Sequence, residues 1–151
     1  ALRALMGLGM IYEREQNYSK AREYYEKVLT INPDCVPAAN NLAYIYVEHG
    51  GNIDVALNLA QKARERMPQD ANVADTLGWI YYRKNVFSTA ITYLKEAADK
   101  LPEQPVVRYH LGMAYHKNGN RDLARQELTK ALSISKEFDG ADEAKKTLES
   151  L

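Results

Sequence analysis

Three histidines and a single cysteine are the residues of this chain best suited to bind a metal or act as a nucleophile. His110 and His116 lie six residues apart, whereas two ligands on one helix face need a spacing of four. No Asp or Glu stands at ligand spacing beside them. Cys35 has no basic neighbour in the sequence that would favour its thiolate. These spacings predict neither a metal site nor an activated nucleophile.

Glycine and carboxylate positions give no catalytic motif either. Gly7 and Gly9 fall inside a helical pattern and lack the third glycine and the preceding strand of a phosphate-binding loop. Paired carboxylates such as Asp70 and Asp75 fall on turns and outer helix faces, where solvated charges are the simpler interpretation. We therefore expect a protein that is not an enzyme and that needs no cofactor and no metal.

Overall composition limits the classes of partner. The 151 residues include 20 Lys and Arg and 20 Asp and Glu. The chain therefore lacks the excess of positive charge that binding to nucleic acid or to an anionic membrane requires. No run of 18 apolar residues occurs, and we expect no membrane insertion. Other proteins are thus the expected partners. The sequence does not specify the cellular compartment. The cytoplasm is the default, and the bacterial periplasm or envelope is the alternative if a signal lies upstream.

A repeat of 34 or 35 residues organises the chain. A small residue following a leucine recurs at Gly9, Ala43, Gly78 and Gly112. A tyrosine stands three residues after each, at Tyr12, Tyr46, Tyr81 and Tyr115. An alanine follows at Ala21, Ala56, Ala90 and Ala124. We therefore predict four repeats over residues 2–35, 36–70, 71–104 and 105–138, followed by a capping helix over residues 140–151. A shortened fifth repeat is the alternative for that last segment.

Each repeat has the pattern of two amphipathic helices. In the third repeat, apolar residues follow a helical spacing from Val73 onward and again from Ala90 onward. Asn85 lies between these stretches, and asparagine tolerates the left-handed conformation that ends a helix. A glycine inside a helix costs about 1 kcal/mol relative to alanine. We therefore expect Gly78 to mark a close approach of the second helix, with Ala90 as the surface contacted.

The chain resembles the tetratricopeptide repeat over essentially residues 2–138. The resemblance rests on the pattern Leu-Gly-x-x-Tyr, followed by Ala-x-x-x-(aromatic or Leu)-x-x-Ala and then Pro. The resemblance implies an all-α fold, a right-handed superhelical solenoid of four antiparallel helix pairs. Two features depart from the family pattern: no repeat has the tryptophan near the start of its first helix, and Lys136 replaces the closing proline of the fourth. The segments 75–79 and 108–112 also resemble bacterial members that act in envelope, exopolysaccharide or pilus assembly.

In this family the first helices of the repeats line a concave groove, so the resemblance implies a scaffold that binds a peptide or amphipathic helix of a partner. The groove positions that packing does not require are Met10, Asn40, Asn41, Tyr44, Asn72, Asp75, Trp79, Tyr82, Tyr109, His110 and Met113. Trp79 is the best single anchor, because aromatic residues are enriched at interface cores. The alternative is that these side chains pack against one another without a ligand. Of the basic clamp that binds chaperone C-termini, only Asn41 is present.

The first helical segment is apolar on almost every side, and such a helix needs neighbours on more than one face. We therefore expect either that these residues belong to a longer array or that the first repeat is covered by a second copy. The predicted self-association surface consists of Ala4, Leu8 and Ile11. A structural segment that builds a homo-oligomer is thus the alternative function.

Overall fold

A computed structural model describes all 151 residues and contains nine α-helices and no strand, which confirms the predicted all-α class. The helices are α1 (Leu2–Arg14), α2 (Tyr18–Ile31), α3 (Val36–Glu48), α4 (Ile53–Arg66), α5 (Ala71–Arg83), α6 (Phe87–Lys100), α7 (Pro105–Lys117), α8 (Arg121–Ile134) and α9 (Ala141–Ser150). The chain forms two compact halves, Ala1–Thr76 and Leu77–Leu151, and their boundary falls inside α5. None of the helices combines the length and apolar character needed to cross a bilayer.

Short turns with one left-handed residue separate the helices of each pair. The residues with positive φ in these turns are Gln16, Gly50, Asn85 and Gly119. Glycine adopts this conformation without strain, and asparagine does so more easily than most residues. Gln16 has no such preference, so the turn between α1 and α2 gave no signal in the sequence. Three of the following helices, α2, α4 and α8, have an asparagine as N-cap, and Asn52 Oδ1 accepts hydrogen bonds from two backbone amides of α4. Helix α6 has Val86 at this position and no side-chain cap.

In the N-terminal half, each helix packs against the next, α1 on α2, α2 on α3 and α3 on α4. Their inward faces form one core of fully or nearly buried residues: Ala21, Tyr25, Val28, Ala38, Leu42 and Ile45. Alanines allow the helix axes to approach, and the larger side chains fill the space between them. Helices α1 and α3 thus both pack against α2.

Three of the repeated small positions are glycines because a side chain fills the space where their Cβ would be. A Cβ on Gly9 would lie 2.6 Å from Tyr25 Cε1, and one on Gly78 would lie 2.5 Å from Leu94 Cγ. The predicted close approach is present, but the tightest contact is not with Ala90. The Ala90 carbonyl oxygen lies 3.1 Å from that position. The residue one helical turn later makes the contact because its side chain extends beyond Cβ.

In the C-terminal half, α7 packs against α6 and α8, and α9 packs against α8 and also contacts α7. Helix α9 buries Ala141, Ala144 and Thr147 and exposes most of its charged residues. Gly140 starts this helix with a φ of 101° and lies directly against the Tyr109 ring. The chain's own last helix therefore covers part of α7 and α8.

Candidate functional site

The predicted binding residues divide between the two halves and differ in accessibility. Most of those in the N-terminal half reach solvent, namely Met10, Asn40, Asn41, Tyr44 and Asn72, and Asp75 is 9% exposed. Those in the C-terminal half are all buried, namely Trp79, Tyr82, Tyr109, His110 and Met113. The first helices of the two halves therefore present very different surfaces.

Trp79 belongs to the core of the C-terminal half, with 1% of its surface exposed. Its ring stacks on Tyr82 in the next turn of α5, with centroids 4.4 Å apart, and on His110 of α7 at 4.0 Å. The Arg83 guanidinium lies 5.0 Å from the ring centroid. The prediction that Trp79 offers a spare ring to a ligand is therefore wrong, because neighbouring side chains already cover the indole.

Tyr109 and Met113 are covered in the same half, with 7% and 3% exposure. The Tyr109 ring lies 5.7 Å from Trp79 and 5.9 Å from Phe138, a residue of the connection that leads to α9. The chain's own residues thus occupy the face of α7 that was expected to receive a ligand. For this half the alternative interpretation holds, since the rings pack against one another.

A polar cavity of about 410 Å³ opens in the N-terminal half, between the first helices of the repeats. Its walls include Asn40, Asn41 and Tyr44 from α3 and Asn72, Asp75 and Thr76 from α5. We call this site the polar cavity. It brings together predicted binding residues that lie about thirty residues apart in the chain, because the repeat spacing places α3 and α5 at equivalent positions.

Local capping positions the α5 side of the polar cavity. Asp70 Oδ1 accepts hydrogen bonds from the backbone amides of Asn72 at 2.8 Å and Val73 at 3.2 Å. This N-cap fixes the first turn of α5, which carries Asn72 and leads to Asp75 one turn later. Asp70 itself lies on the cavity wall.

A hydrogen-bonded chain positions the α1 side. The buried Tyr25 hydroxyl donates to Glu13 Oε1 at 2.6 Å, and Asn41 Nδ2 donates to the same hydroxyl oxygen at 3.3 Å. Burial raises the pKa of Tyr25 well above its usual range, and the hydrogen bond to the Glu13 carboxylate raises this pKa further. Tyr25 therefore remains a neutral donor that orients Glu13 from α1 and Asn41 from α3.

Acceptors outnumber donors around the polar cavity. Glu13, Asp70 and Asp75 contribute carboxylates, and no Lys, Arg or His lines it. Asn40 Oδ1 is buried and accepts no hydrogen bond. A buried polar atom without a partner costs about 1–3 kcal/mol. The cavity lining thus carries negative charge and includes one hydrogen-bond acceptor without a donor.

Sequence reasoning missed Glu13 and Asp70 as parts of this site. A signal existed for Glu13, which stands four residues after Gly9, the repeat position that Tyr82 occupies after Gly78. Asp70 lies in a turn, where its charge suggested only solvation. Across the chain, no three His, Cys, Asp or Glu side chains are grouped so as to hold a metal ion.

Helix α1 presents an apolar surface to solvent, separate from the polar cavity. Leu8, Met10 and Ile11 are 36%, 49% and 48% exposed, and Ala4 is exposed as well. We call this set the α1 apolar surface. Beside it, Leu2 and Met6 join Met10 in lining a second, mostly apolar cavity of about 430 Å³. The expectation that Met10 acts together with the asparagines needs correction, because its side chain does not line the polar cavity.

Comparison with known proteins agrees with the repeat pattern. Two models described as tetratricopeptide repeat match residues 2–35 and 82–137, which together make up more than half of the chain. The TPR repeat-containing protein PA4667 of Pseudomonas aeruginosa is 29% identical over 111 residues, covering 74% of this chain and 19% of that protein. The chain spans about a fifth or less of the length of the curated relatives it matches.

Solved structures show the same fold at low identity. TTC0263, a thermophilic TPR protein of Thermus thermophilus, superposes with a TM-score of 0.82 at 22% identity, covering 99% of this chain and 80% of that one. YrrB, described as a TPR protein with an unusual peptide-binding site, gives a TM-score of 0.70 at 24% identity, covering 97% of this chain and 75% of that one. From its helix pairs, its repeated residues and both model matches, the chain belongs to the tetratricopeptide repeat family.

Proposed function

We propose that this chain is a non-catalytic interaction scaffold that binds an extended peptide of a partner protein in the polar cavity. The observation that carries the proposal is that residues of α1, α3 and α5 surround an open space of about 410 Å³ that the core does not fill. Tetratricopeptide arrays serve as protein-interaction scaffolds, and YrrB has a peptide-binding site in this fold. We assign the repeats to residues 2–35, 36–70, 71–104 and 105–138.

An extended guest suits the chemistry of the cavity walls. The cavity wall contains the side-chain amides of Asn40, Asn41 and Asn72. These groups can donate hydrogen bonds to a peptide backbone and accept hydrogen bonds from it, whatever the peptide's side chains are. Three neighbouring helices at about 8–10 Å separation span roughly 20 Å, which about six extended residues would cover. Tyr44 adds a partly exposed aromatic ring for an apolar contact.

Selection of binding peptides from a random displayed library tests this proposal. Asn72→Ala and Tyr44→Ala should each lower the affinity for the selected peptides by about tenfold, since each removes one cavity-wall group from the contact. Asn58→Ala is the matched control, because Asn58 is an exposed asparagine on α4 outside the cavity. Selected peptides that bind both cavity variants as tightly as the control would overturn the proposal.

The α1 apolar surface supports a second candidate function, self-assembly. Leu8, Met10 and Ile11 lie within one helical turn and expose a third to a half of their surface, although α1 already packs on α2. Apolar contacts of this kind favour association with another apolar surface. Ile11→Asp should abolish concentration-dependent association in sedimentation velocity. Val55→Asp, at a similarly exposed apolar position on α4, should leave it unchanged. A strictly monomeric wild type at high concentration would contradict this role.

A further inference from the structure

Resting on the proposed peptide-binding function, we infer that the polar cavity selects a cationic side chain of the bound peptide, and arginine in particular. Two independent features lead to this inference. The first is the charge of the cavity wall, where Glu13 and Asp70 stand with no Lys, Arg or His among the lining residues. The second is the unsatisfied Asn40 Oδ1.

The lining carboxylates keep hydrogen-bonding capacity toward a guest. Glu13 Oε1 accepts from the Tyr25 hydroxyl, and a carboxylate has lone pairs for several further donors. The hydrogen bond from Tyr25 holds the Glu13 carboxylate in place, so it need not be ordered when a ligand arrives. Glu13 also lies in the last turn of α1, where the helix dipole adds negative potential and favours a cation.

Asn40 distinguishes a donor-rich guest from a simple counter-ion. Asn40 belongs to the α3 wall, and its Oδ1 atom is buried without a donor, so an N–H or O–H of a guest would supply the missing hydrogen bond once the amide turns toward it. A guanidinium carries five N–H donors in a planar fork, so it can bind a carboxylate and an amide oxygen at once. A lysine ammonium brings charge and three donors but no fixed fork, so we expect it to bind less tightly than arginine.

Two pools of nonapeptides test this inference. One has arginine fixed at the central position and the other citrulline, which keeps the shape and loses the charge; all other positions are equimolar mixtures. Fluorescence anisotropy against the full chain should show the arginine pool binding at least tenfold more tightly. Glu13→Gln should remove most of that preference, because glutamine still accepts from Tyr25 and carries no charge. Glu15→Gln is the control, an exposed glutamate next to the end of α1.

NMR signals of the side-chain amides in the isotopically labelled protein show where the peptides bind. The arginine pool should shift the Asn40 and Asn72 amide signals, whereas the Asn58 signal should not move. Equal affinity for arginine and citrulline pools, with the same Asn40 and Asn72 shifts, would overturn charge selection and leave peptide binding intact. An absence of binding by either pool would overturn both this inference and the proposed function.

Discussion

The indole ring of Trp79 stacks on the imidazole of His110 with ring centroids 4.0 Å apart and an interplanar angle of 23°. This contact joins α5 to α7 within the C-terminal half, and both side chains are 1% exposed. A ring that was expected to receive a ligand therefore stabilises the fold. The open surface lies in the N-terminal half instead, where the polar cavity has no such aromatic cover.

Replacing Trp79 by alanine should destabilise the chain by about 3–5 kcal/mol, since it leaves a large cavity in a packed core. Urea unfolding followed by circular dichroism measures this change. Trp79 is the single tryptophan, so native wild-type fluorescence should be blue-shifted and protected from acrylamide, and both properties should disappear on unfolding. Native quenching equal to that of free indole would contradict the buried position.

A methyl group at Gly78 should destabilise the helix pair α5–α6 by about 1–3 kcal/mol through overpacking against Leu94, despite the better helix propensity of alanine. Gly7→Ala is the matched control within a helix, because a Cβ there meets no atom within 4 Å. That control should stabilise the chain by up to about 1 kcal/mol. Melting temperatures that rise equally for both variants would argue against the close contact.

The ion pair between Arg108 Nη1 and Glu127 Oε2, at 2.9 Å, links α7 to α8 with only 15% and 10% of the two side chains exposed. Removing the cation leaves a largely buried carboxylate, so Arg108→Ala should cost about 2–4 kcal/mol. Lys130 reaches the same carboxylate at 3.7 Å but is 54% exposed, and Lys130→Ala should cost less than about 1 kcal/mol. Equal losses of stability in chemical denaturation would show that burial of the pair is unimportant.

Alkaline pH should destabilise the fold through Tyr25. Burial and the Glu13 hydrogen bond raise its folded-state pKa above the value of about 10 in an unfolded chain. The unfolded state therefore loses this proton first as the pH rises. The stability contributed by the raised pKa is complete below pH 10 and decreases above it. Melting temperatures between pH 8 and 11 should fall.

In Tyr25→Phe, this alkaline decrease should be shallower, because the titrating hydroxyl is gone. The variant should also lose about 1–2 kcal/mol at neutral pH, since Glu13 and Asn41 lose their shared hydrogen-bond partner. Tyr93→Phe, on the partly exposed face of α6, provides the comparison. If the pH dependence of Tyr25→Phe matched that of the wild type, Tyr25 would not be the group responsible.

By itself, the sequence determined the helices, their pairing and the spacing of the repeats. These features depend on local periodicity and on contacts such as Gly78 with Leu94, sixteen residues apart, which recur in register with the repeat. The same periodicity identified Asn40, Asn41, Tyr44, Asn72 and Asp75, which the structure places around one cavity.

Only the tertiary structure decided which first-helix surfaces remain open. Met10, Trp79 and Met113 occupy equivalent repeat positions, yet their exposed fractions are 49%, 1% and 3%. The repeat predicts the same orientation for all three side chains, but the exposed fraction of each depends on which other side chains cover it. Trp79 meets His110 from another helix, and Tyr109 meets Phe138 from the connection to α9. The residue types at these positions differ between repeats, with His110 standing where the preceding repeats have Thr76 and Asn41, so the repeat pattern alone could not predict which surfaces are covered.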